Sequence, residues 1–360
     1  MKKVAHIFKS LSAGGIEKWL TDVAKVNDDN KLFQMDFLLQ STDEGFFEPI
    51  VKSTSTEIYK LNLKKGYFKY LLDLYNHFKN HKYDVVHSHV HHFSGLIMLV
   101  AFLAGVKIRV THSHNDKREE YKKVSFLKKV YFSICKMLIL ILSNRNIAVS
   151  DNAAKSLFPY SLNKVVILPC GLKLDIENKN ISKKDSDEEI IIGHIGSFSP
   201  QKNHKFICEL ARDLDARFPG LYKFHLVGQG RLYTEIQSII SSLRLEHCVK
   251  LLGLRNDVKS LIMNEFDIVI LPSFHEGLAM VALETQYYGK PLIVSDKLSK
   301  QHTFSNYIEY ASINDTSVFI EKIINNKGAS RKDIENCRKY LDNSSMSVNN
   351  NIAQLSSIYN

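Results

Sequence analysis

The chain has 360 residues, of which 44% are hydrophobic and 24% charged, with a formal excess of ten positive charges. That composition excludes a disordered or fibrous chain, and the length is long for one hydrophobic core and comfortable for two. Five cysteines, Cys135, Cys170, Cys208, Cys248 and Cys337, are odd in number and lack paired metal-type spacing, which argues against a disulfide framework.

The start, Met1-Lys-Lys-Val-Ala-His-Ile-Phe8, runs directly into a strand pattern rather than a long apolar leader, so a cytosolic location is expected. From there short apolar strands alternate with helices. Val4–Phe8 leads to a helix from Ile16, and Met35–Leu39 precedes a helix near Tyr67–Phe78. Then come the strand Asp84–His89, an apolar helix near Phe93–Ala104, the strand Lys107–Thr111, a long helix near Glu119–Leu142, the strand Asn146–Ser150 and a short helix. After Lys164-Val-Val-Ile-Leu-Pro169 the pattern breaks into the polar, highly charged stretch Lys173–Glu189, read as a linker.

The alternation then restarts. Strands are expected at Ile190–Ile195, Lys223–Val227, Val249–Leu252, Asp267–Leu271 and Pro291–Ser295, with helices at His204–Phe218, Arg231–Leu243, Val258–Asn264 and Leu278–Tyr288. Strand, helix, strand implies parallel sheets with right-handed crossovers. The fold class is therefore α/β, two tandem doubly wound Rossmann-like domains that face a cleft. The expected division is 1–168, a linker at 169–189, a second domain at 190–345, and a last helix over 346–360 that crosses back to the first.

Charge is unevenly divided. Residues 1–165 hold 25 Lys and Arg against 15 Asp and Glu, whereas residues 166–360 hold 23 of each. A basic first half favours an anionic partner such as a phospholipid surface or a phosphorylated acceptor. Nucleic acid has only the charge in its favour, with no recognised motif. The stretch Tyr121–Leu142 joins a lysine-rich start to an apolar end too short to span a bilayer, and reads equally as a lipid-facing amphipathic helix or a core helix. No G-x-G-x-x-G follows the first strand, which argues against a nicotinamide dehydrogenase.

The segment Pro272-Ser-Phe-His-Glu-Gly-Leu-Ala-Met-Val-Ala-Leu-Glu284 sets two carboxylates, Glu276 and Glu284, eight positions apart after an apolar strand. With Gly277 and Leu278 at a helix start, free backbone N–H groups would meet a diphosphate. If both carboxylates ride that helix they lie roughly 12 Å apart along it, one for sugar hydroxyls and one for ribose. Histidines crowd the first half: His87, His89, His91, His92, His112 and His114. A metal cluster is the competing reading, but no carboxylate stands in a ligand pattern beside them.

Eight motifs in order resemble the retaining glycosyltransferases of family 4, with the two-domain GT-B fold, and within them the bacterial exopolysaccharide and capsule branch. They are Gly14-Gly-Ile-Glu-Lys18, Thr111-His-Ser-His-Asn115, Ala148-Val-Ser-Asp151, Leu168-Pro-Cys-Gly171, Gly196-Ser-Phe-Ser-Pro-Gln-Lys-Asn-His204, Val227-Gly-Gln-Gly230, Gly253-Leu-Arg-Asn-Asp-Val258 and the Pro272–Glu284 segment. The resemblance implies that Gly14 and Gly15 approach the donor diphosphate and that Lys202 neutralises it as a leaving group. Glu276 is expected to contact the donor sugar and Glu284 the ribose. Leu254 and Arg255 would border the base, His114 would lie under the sugar with His112 as runner-up, and Gly228 and Gly230 read equally as a plain turn.

Ser197 stands where the family usually has arginine, so a bidentate clamp is missing there. Lys202 with the helix start at Gly277, or Arg231 or Arg255, would take over that task. The expected activity moves a hexose or N-acetylhexosamine from a nucleotide sugar, UDP-linked, to a lipid-linked polysaccharide acceptor at the inner face of the plasma membrane. No metal cofactor is expected. The alternatives are a nucleotide-sugar-binding protein of weak or no turnover, motivated by Ser197, and a sugar-nucleotide epimerase.

Overall fold

The computed structural model describes residues 1–174, 189–326 and 328–360, without the His302 side chain. The chain divides into two compact units, Met1–Lys173 with Ser344–Asn360, and Leu174–Asn343. Of the stretch read as a linker, residues 175–188 lie outside the described residues.

The first unit runs β1 (Lys3–Phe8), α1 (Gly15–Asn30), β2 (Gln34–Leu39), the single turn α2 (Glu48–Val51), β3 (Glu57–Lys60), α3 (Tyr67–His81), β4 (Val85–Ser88), α4 (Ser94–Leu103), β5 (Ile108–Ser113), α5 (Arg118–Lys122), α6 (Phe126–Leu142), β6 (Arg145–Ala148), α7 (Asp151–Leu157) and β7 (Val165–Ile167). These seven strands pair in parallel in the order β3-β2-β1-β4-β5-β6-β7. Strands buried on both faces need near-continuous apolar runs. β1 supplies Val4, Ala5, Ile7 and Phe8 around His6, and β4 supplies Val85 and Val86 before His87 and Ser88.

The second unit runs β8 (Ile190–Ile195), α8 (His204–Arg217), β9 (Tyr222–Val227), α9 (Tyr233–Ser242), β10 (Val249–Gly253), α10 (Val258–Ser260), β11 (Ile268–Leu271), α11 (Met280–Tyr287), β12 (Leu292–Ser295), β13 (Ile308–Ala311), α12 (Ser317–Ile324) and α13 (Arg331–Asn343). Its sheet is also parallel, in the order β10-β9-β8-β11-β12-β13. The core under it packs Ile192, Phe206, Leu210, Phe224, Leu226 and Ile270.

Several elements differ from the sequence expectation. The long helix over 119–142 is broken, because Ser125 takes extended backbone between α5 and the start of α6. Strands β3 and β13 lie at sheet edges and are only partly buried, so neither carries the apolar run that marks the inner strands. The helix expected at Val258–Asn264 passes after Ser260 into a wide turn closed by Phe266 N–H on Leu261 O at 2.9 Å.

The chain ends in α14 (Val348–Tyr359), which belongs to the first unit and packs on α1. Trp19, fully buried in α1, donates from Nε1 to Asn351 Oδ1 at 2.8 Å, and Asn351 Nδ2 donates to Pro169 O at 2.7 Å. The approach is close. A Cβ on Gly171 would stand 2.6 Å from Asn351 Cβ and 2.9 Å from Val348 Cα. Asn351→Ala would strand a buried indole N–H and a carbonyl, and is expected to cost about 1–3 kcal/mol in urea unfolding; a loss below about 0.5 kcal/mol, the range of surface substitutions, would show that this contact does not hold the helix.

Candidate functional site

In each sheet the strand order reverses once, between β1 and β4 in the first and between β8 and β11 in the second. Loops leaving the carboxyl ends of strands on either side of such a reversal diverge and leave a crevice, the usual ligand position in open α/β sheets. Gly14, Gly15, Lys202, Glu276, Gly277 and Leu278 follow strands that flank those reversals, whereas His114, Gly228, Gly230 and Arg255 follow β5, β9 and β10.

In the second unit the loop after β8 carries Gly196 to Asn203 and the loop after β11 carries Pro272 to Ala279. They are stitched together. Lys202 Nζ meets Glu276 Oε1 at 2.6 Å, with both side chains largely buried. Gln201 Nε2 donates to Glu276 Oε2 at 3.2 Å and to His275 O at 2.7 Å, and Phe274 N–H donates to Gln201 O at 2.9 Å. Lys202 lies across Gly196, where a Cβ would sit 3.1 Å from its Cδ. A cation and a carboxylate that are 74 residues apart are thereby held at one point.

The glycines beside them have a packing reason. Gly228 has φ +141°, and a Cβ there would collide with Gly196 O; a Cβ on Gly230 would stand 2.5 Å from Phe198 O. These glycines let the ends of β8 and β9 approach each other. Ser197 is exposed, its Oγ 3.3 Å from Ser199 Oγ. Arg255 is held by Asp257 in two contacts of 2.7 and 2.5 Å, while Arg231 is exposed with no ion pair among the described residues.

One expectation is corrected. The helix after β11 opens at Met280 rather than at Gly277, because Ala279 keeps a non-helical backbone (φ −78°, ψ 87°). Glu276, Gly277 and Leu278 therefore lie in the preceding loop, and only Glu284 rides the helix, in its second turn and partly buried. The 12 Å separation along a shared helix does not apply.

In the first unit Gly14 precedes α1 in extended conformation and Gly15 is exposed as its first residue. A Cβ on Gly14 would collide with the carboxylate of Glu17. Glu17 was not singled out by sequence reasoning, although it lies inside the Gly14–Lys18 motif. Burial pushes its carboxyl up to about 7, against the pull of its own backbone N–H and of Lys9.

The histidines are interior. His6, His87 and His112 are fully buried, and His89 and His114 are 6% and 7% exposed. They share one face because side chains two apart along a strand point the same way, and β1 sets His6 beside His87. Trp19 packs on His89, His112 and His114 at 5.3–5.7 Å between centroids. Burial drops His6 and His114 to about 3 and the other three well below the ordinary value, so all five are neutral.

His114 uses both ring nitrogens inside the unit, Nε2 toward His89 Nδ1 at 2.9 Å and Nδ1 toward Cys170 Sγ at 3.6 Å. Neither ring nitrogen of His112, the runner-up, has a hydrogen-bond partner of normal geometry among the described residues. Ring nitrogens of His6, His87 and His89, and of His89, His112 and His114, come within 4.8 Å of one another, close enough to hold a metal ion. No carboxylate belongs to either group, and His89 already bonds His6 and His114. A third group, Asp215, His247 and Cys248, lies elsewhere in the second unit.

Residues 13–176 match the family model described as Glycosyltransferase Family 4, and residues 175–340 the one described as Glycosyl transferases group 1. CapH of Staphylococcus aureus, a capsular polysaccharide biosynthesis glycosyltransferase, is 27% identical over all of this chain and 99% of its own. An Escherichia coli UDP-Gal:alpha-D-GlcNAc-diphosphoundecaprenol alpha-1,3-galactosyltransferase is 28% identical over 71% of this chain and 69% of its own. Among solved structures, Anabaena HepE in complex with UDP-glucose superposes with a TM-score of 0.76, at 18% identity, over 99% of this chain and 100% of that one.

A raised carboxyl pKa gives stability that is present below the unfolded value and lost as pH rises through the folded one. Glu17→Gln removes that loss. The variant is expected to gain stability over the parent progressively between about pH 4.5 and about 7 and to keep a constant margin above; a margin independent of pH in urea melts would mean that Glu17 titrates normally.

Proposed function

Because the chain belongs to glycosyltransferase family 4 and carries the group 1 glycosyltransferase domain, we propose that it is a retaining transferase of polysaccharide biosynthesis that moves a hexose or N-acetylhexosamine from a UDP-linked donor to a lipid-linked acceptor. The observation that carries the donor half is the Lys202–Glu276 pair at the strand reversal of the second sheet. A lysine there meets the diphosphate, where negative charge grows as the glycosidic bond breaks, and such an interaction lowers the barrier. Glu276 contacts sugar hydroxyls and, through its pair with Lys202, orients that lysine. Glu284 reaches the ribose, and Gly277 and Leu278 offer backbone groups to the diphosphate from their loop.

In this reading Arg255, engaged by Asp257, contributes backbone rather than charge near the base, and Arg231 is the cation free to offset Ser197. Gly14 and Gly15 border the diphosphate, with Glu17 behind them. The two named relatives support the donor and acceptor classes, since one acts in capsular polysaccharide biosynthesis and the other takes UDP-Gal to a diphosphoundecaprenol-linked sugar. Retention proceeds by same-face attack, with the departing diphosphate taking the acceptor proton, because Glu276 is committed to sugar and to Lys202 rather than to covalent chemistry.

Purified protein is mixed with a panel of nucleotide sugars, and protection against thermal unfolding and transfer to polyprenyl-diphosphate-linked sugar are read. Protection by a UDP sugar with product formation is expected. Protection without product would support the inactive binding protein, and product without acceptor the epimerase. Glu276→Ala is expected to lower kcat by about 10²–10³, the usual loss on removing one group that stabilises developing charge, and near-normal turnover would end its assignment.

The acceptor half requires access to lipid. In α6 only Cys135 and Ile139 are buried, while Phe126, Leu127, Val130, Ile134, Met137, Leu140 and Ile141 are exposed. Exposed Phe102 and Leu103 lie on α4, which packs on α6, and Lys122, Lys123, Lys128 and Lys129 are exposed beside the start of α6. An outer face that is apolar with a lysine fringe favours an anionic lipid surface over a helix sunk in the core. No described helix is long and apolar enough to cross a membrane. Sedimentation with phosphatidylglycerol vesicles is expected at low salt, weakened by high salt and abolished by Leu127→Glu with Ile134→Glu; unchanged binding by the double variant would remove this face from the reading.

A further inference from the structure

The first unit contains a continuous buried hydrogen-bonded chain. Tyr359 Oη lies 2.7 Å from His87 Nδ1 and 3.3 Å from His6 Nε2. His6 Nδ1 meets His89 Nε2 at 3.0 Å, His89 Nδ1 meets His114 Nε2 at 2.9 Å, and His114 Nδ1 faces Cys170 Sγ at 3.6 Å. From the fully buried His87 the chain runs outward to His114, 7% exposed.

We infer that this chain holds the proton of His114 on Nδ1, so that His114 meets its ligand as a hydrogen-bond donor rather than as a base. The inference rests on the transferase reading and on the place that the family resemblance implies for His114, under the donor sugar. A neutral imidazole has one N–H and one lone pair, and a tyrosine hydroxyl donates once and accepts. Each ring in the middle is bonded through both nitrogens, so the direction of one bond fixes the next. If Tyr359 accepted from both His87 and His6, its own buried O–H would have no acceptor among the described residues, so it donates to one of them and two arrangements of protons remain, one the reverse of the other.

The inner end decides between them. His87 Nε2 is buried and has no hydrogen-bond partner among the described residues. A buried N–H without an acceptor is rarer and costlier than a bare acceptor, so the His87 proton sits on Nδ1 and is donated to Tyr359. Tyr359 then donates to His6, His6 Nδ1–H to His89, and His89 Nδ1–H to His114 Nε2. That leaves His114 Nε2 as an acceptor already used, with its own proton on Nδ1. Burial keeps the phenol of Tyr359 and every imidazole in the chain neutral, so each has the proton that this order requires.

The outer end is the replaceable one. Sulfur is a weak acceptor, and at 3.6 Å the N–H loses little when it turns to an oxygen of a sugar or a departing phosphate. His6, His89 and Tyr359 are therefore positioning residues. Tyr359 stands one residue from the end of the chain, so the last helix reaches the site through three side chains.

Protein labelled with ring-15N histidine tests this without substrate, by long-range proton–nitrogen correlation, the His114 signals being those missing from His114→Asn. Wild type is expected to show Nδ1 protonated and Nε2 bare at His114, His89 and His6; a protonated Nε2 at His114 overturns the inference. Cys170→Ala removes the acceptor at the outer end and is expected to shift His114, His89 and His6 together, whereas a shift of His114 alone would show that no coupled chain exists. In transfer assays an asparagine amide can replace a donor at Nδ1 and a glutamine amide one at Nε2. His114→Asn should therefore keep about tenfold more kcat than His114→Gln, the worth of one hydrogen bond; equal or reversed rates overturn the donor role. Because the labelling result needs no turnover, it stands or falls separately from the transferase reading.

Discussion

A parallel sheet whose strand order reverses cannot cover the reversal with its own connections, because the helices on either side leave in opposite directions. Both sheets of this chain have one such place, and the candidate chemistry depends on it. Between β8 and β11 it brings together Lys202 and Glu276, which no local pattern connects. At the carboxyl ends of β1, β4 and the neighbouring β5 lie the Gly14 loop with Glu17 behind it, His89 and His114. The glycines at 228 and 230 stand where backbone atoms of Gly196 and Phe198 approach more closely than a side chain allows.

The two places differ in electrostatic character. The second-unit site holds a compensated charge pair, with the missing arginine at Ser197 leaving Lys202 as the cation tied directly to Glu276. In the first unit, burial has removed charge instead, leaving five neutral imidazoles and a carboxyl raised to about 7. The basic excess of the first half sits outside that cluster, on surfaces such as the start of α6.

Much of the inner architecture was legible because parallel strands buried on both faces must be apolar throughout; Ile190–Ile195 and the strand before Pro272 announce themselves. Edge strands β3 and β13 have one exposed side and did not. The start of α11 was misplaced for a related reason: a glycine after a strand was taken as a helix opening, whereas the loop must extend to Ala279 so that Glu276 can reach Lys202. Glu17 could have been found from its place inside the Gly14–Lys18 motif, since an acid three residues after a glycine at a helix start can fold back only if that glycine has no side chain.

The sequence by itself determined the alternation of strands and helices, the resemblance to family 4 and the identity of the pair Lys202 and Glu276 as candidates, because periodicity and motif order are properties of neighbours along the chain. Tertiary structure decided that Glu276 leaves the helix, that His114 is wired to His6 rather than open on both nitrogens, and that Asn351 and Tyr359 of the last helix secure the first unit. Those contacts join residues 25 to 353 positions apart. Their energy comes from burying polar groups that only the folded chain can pair.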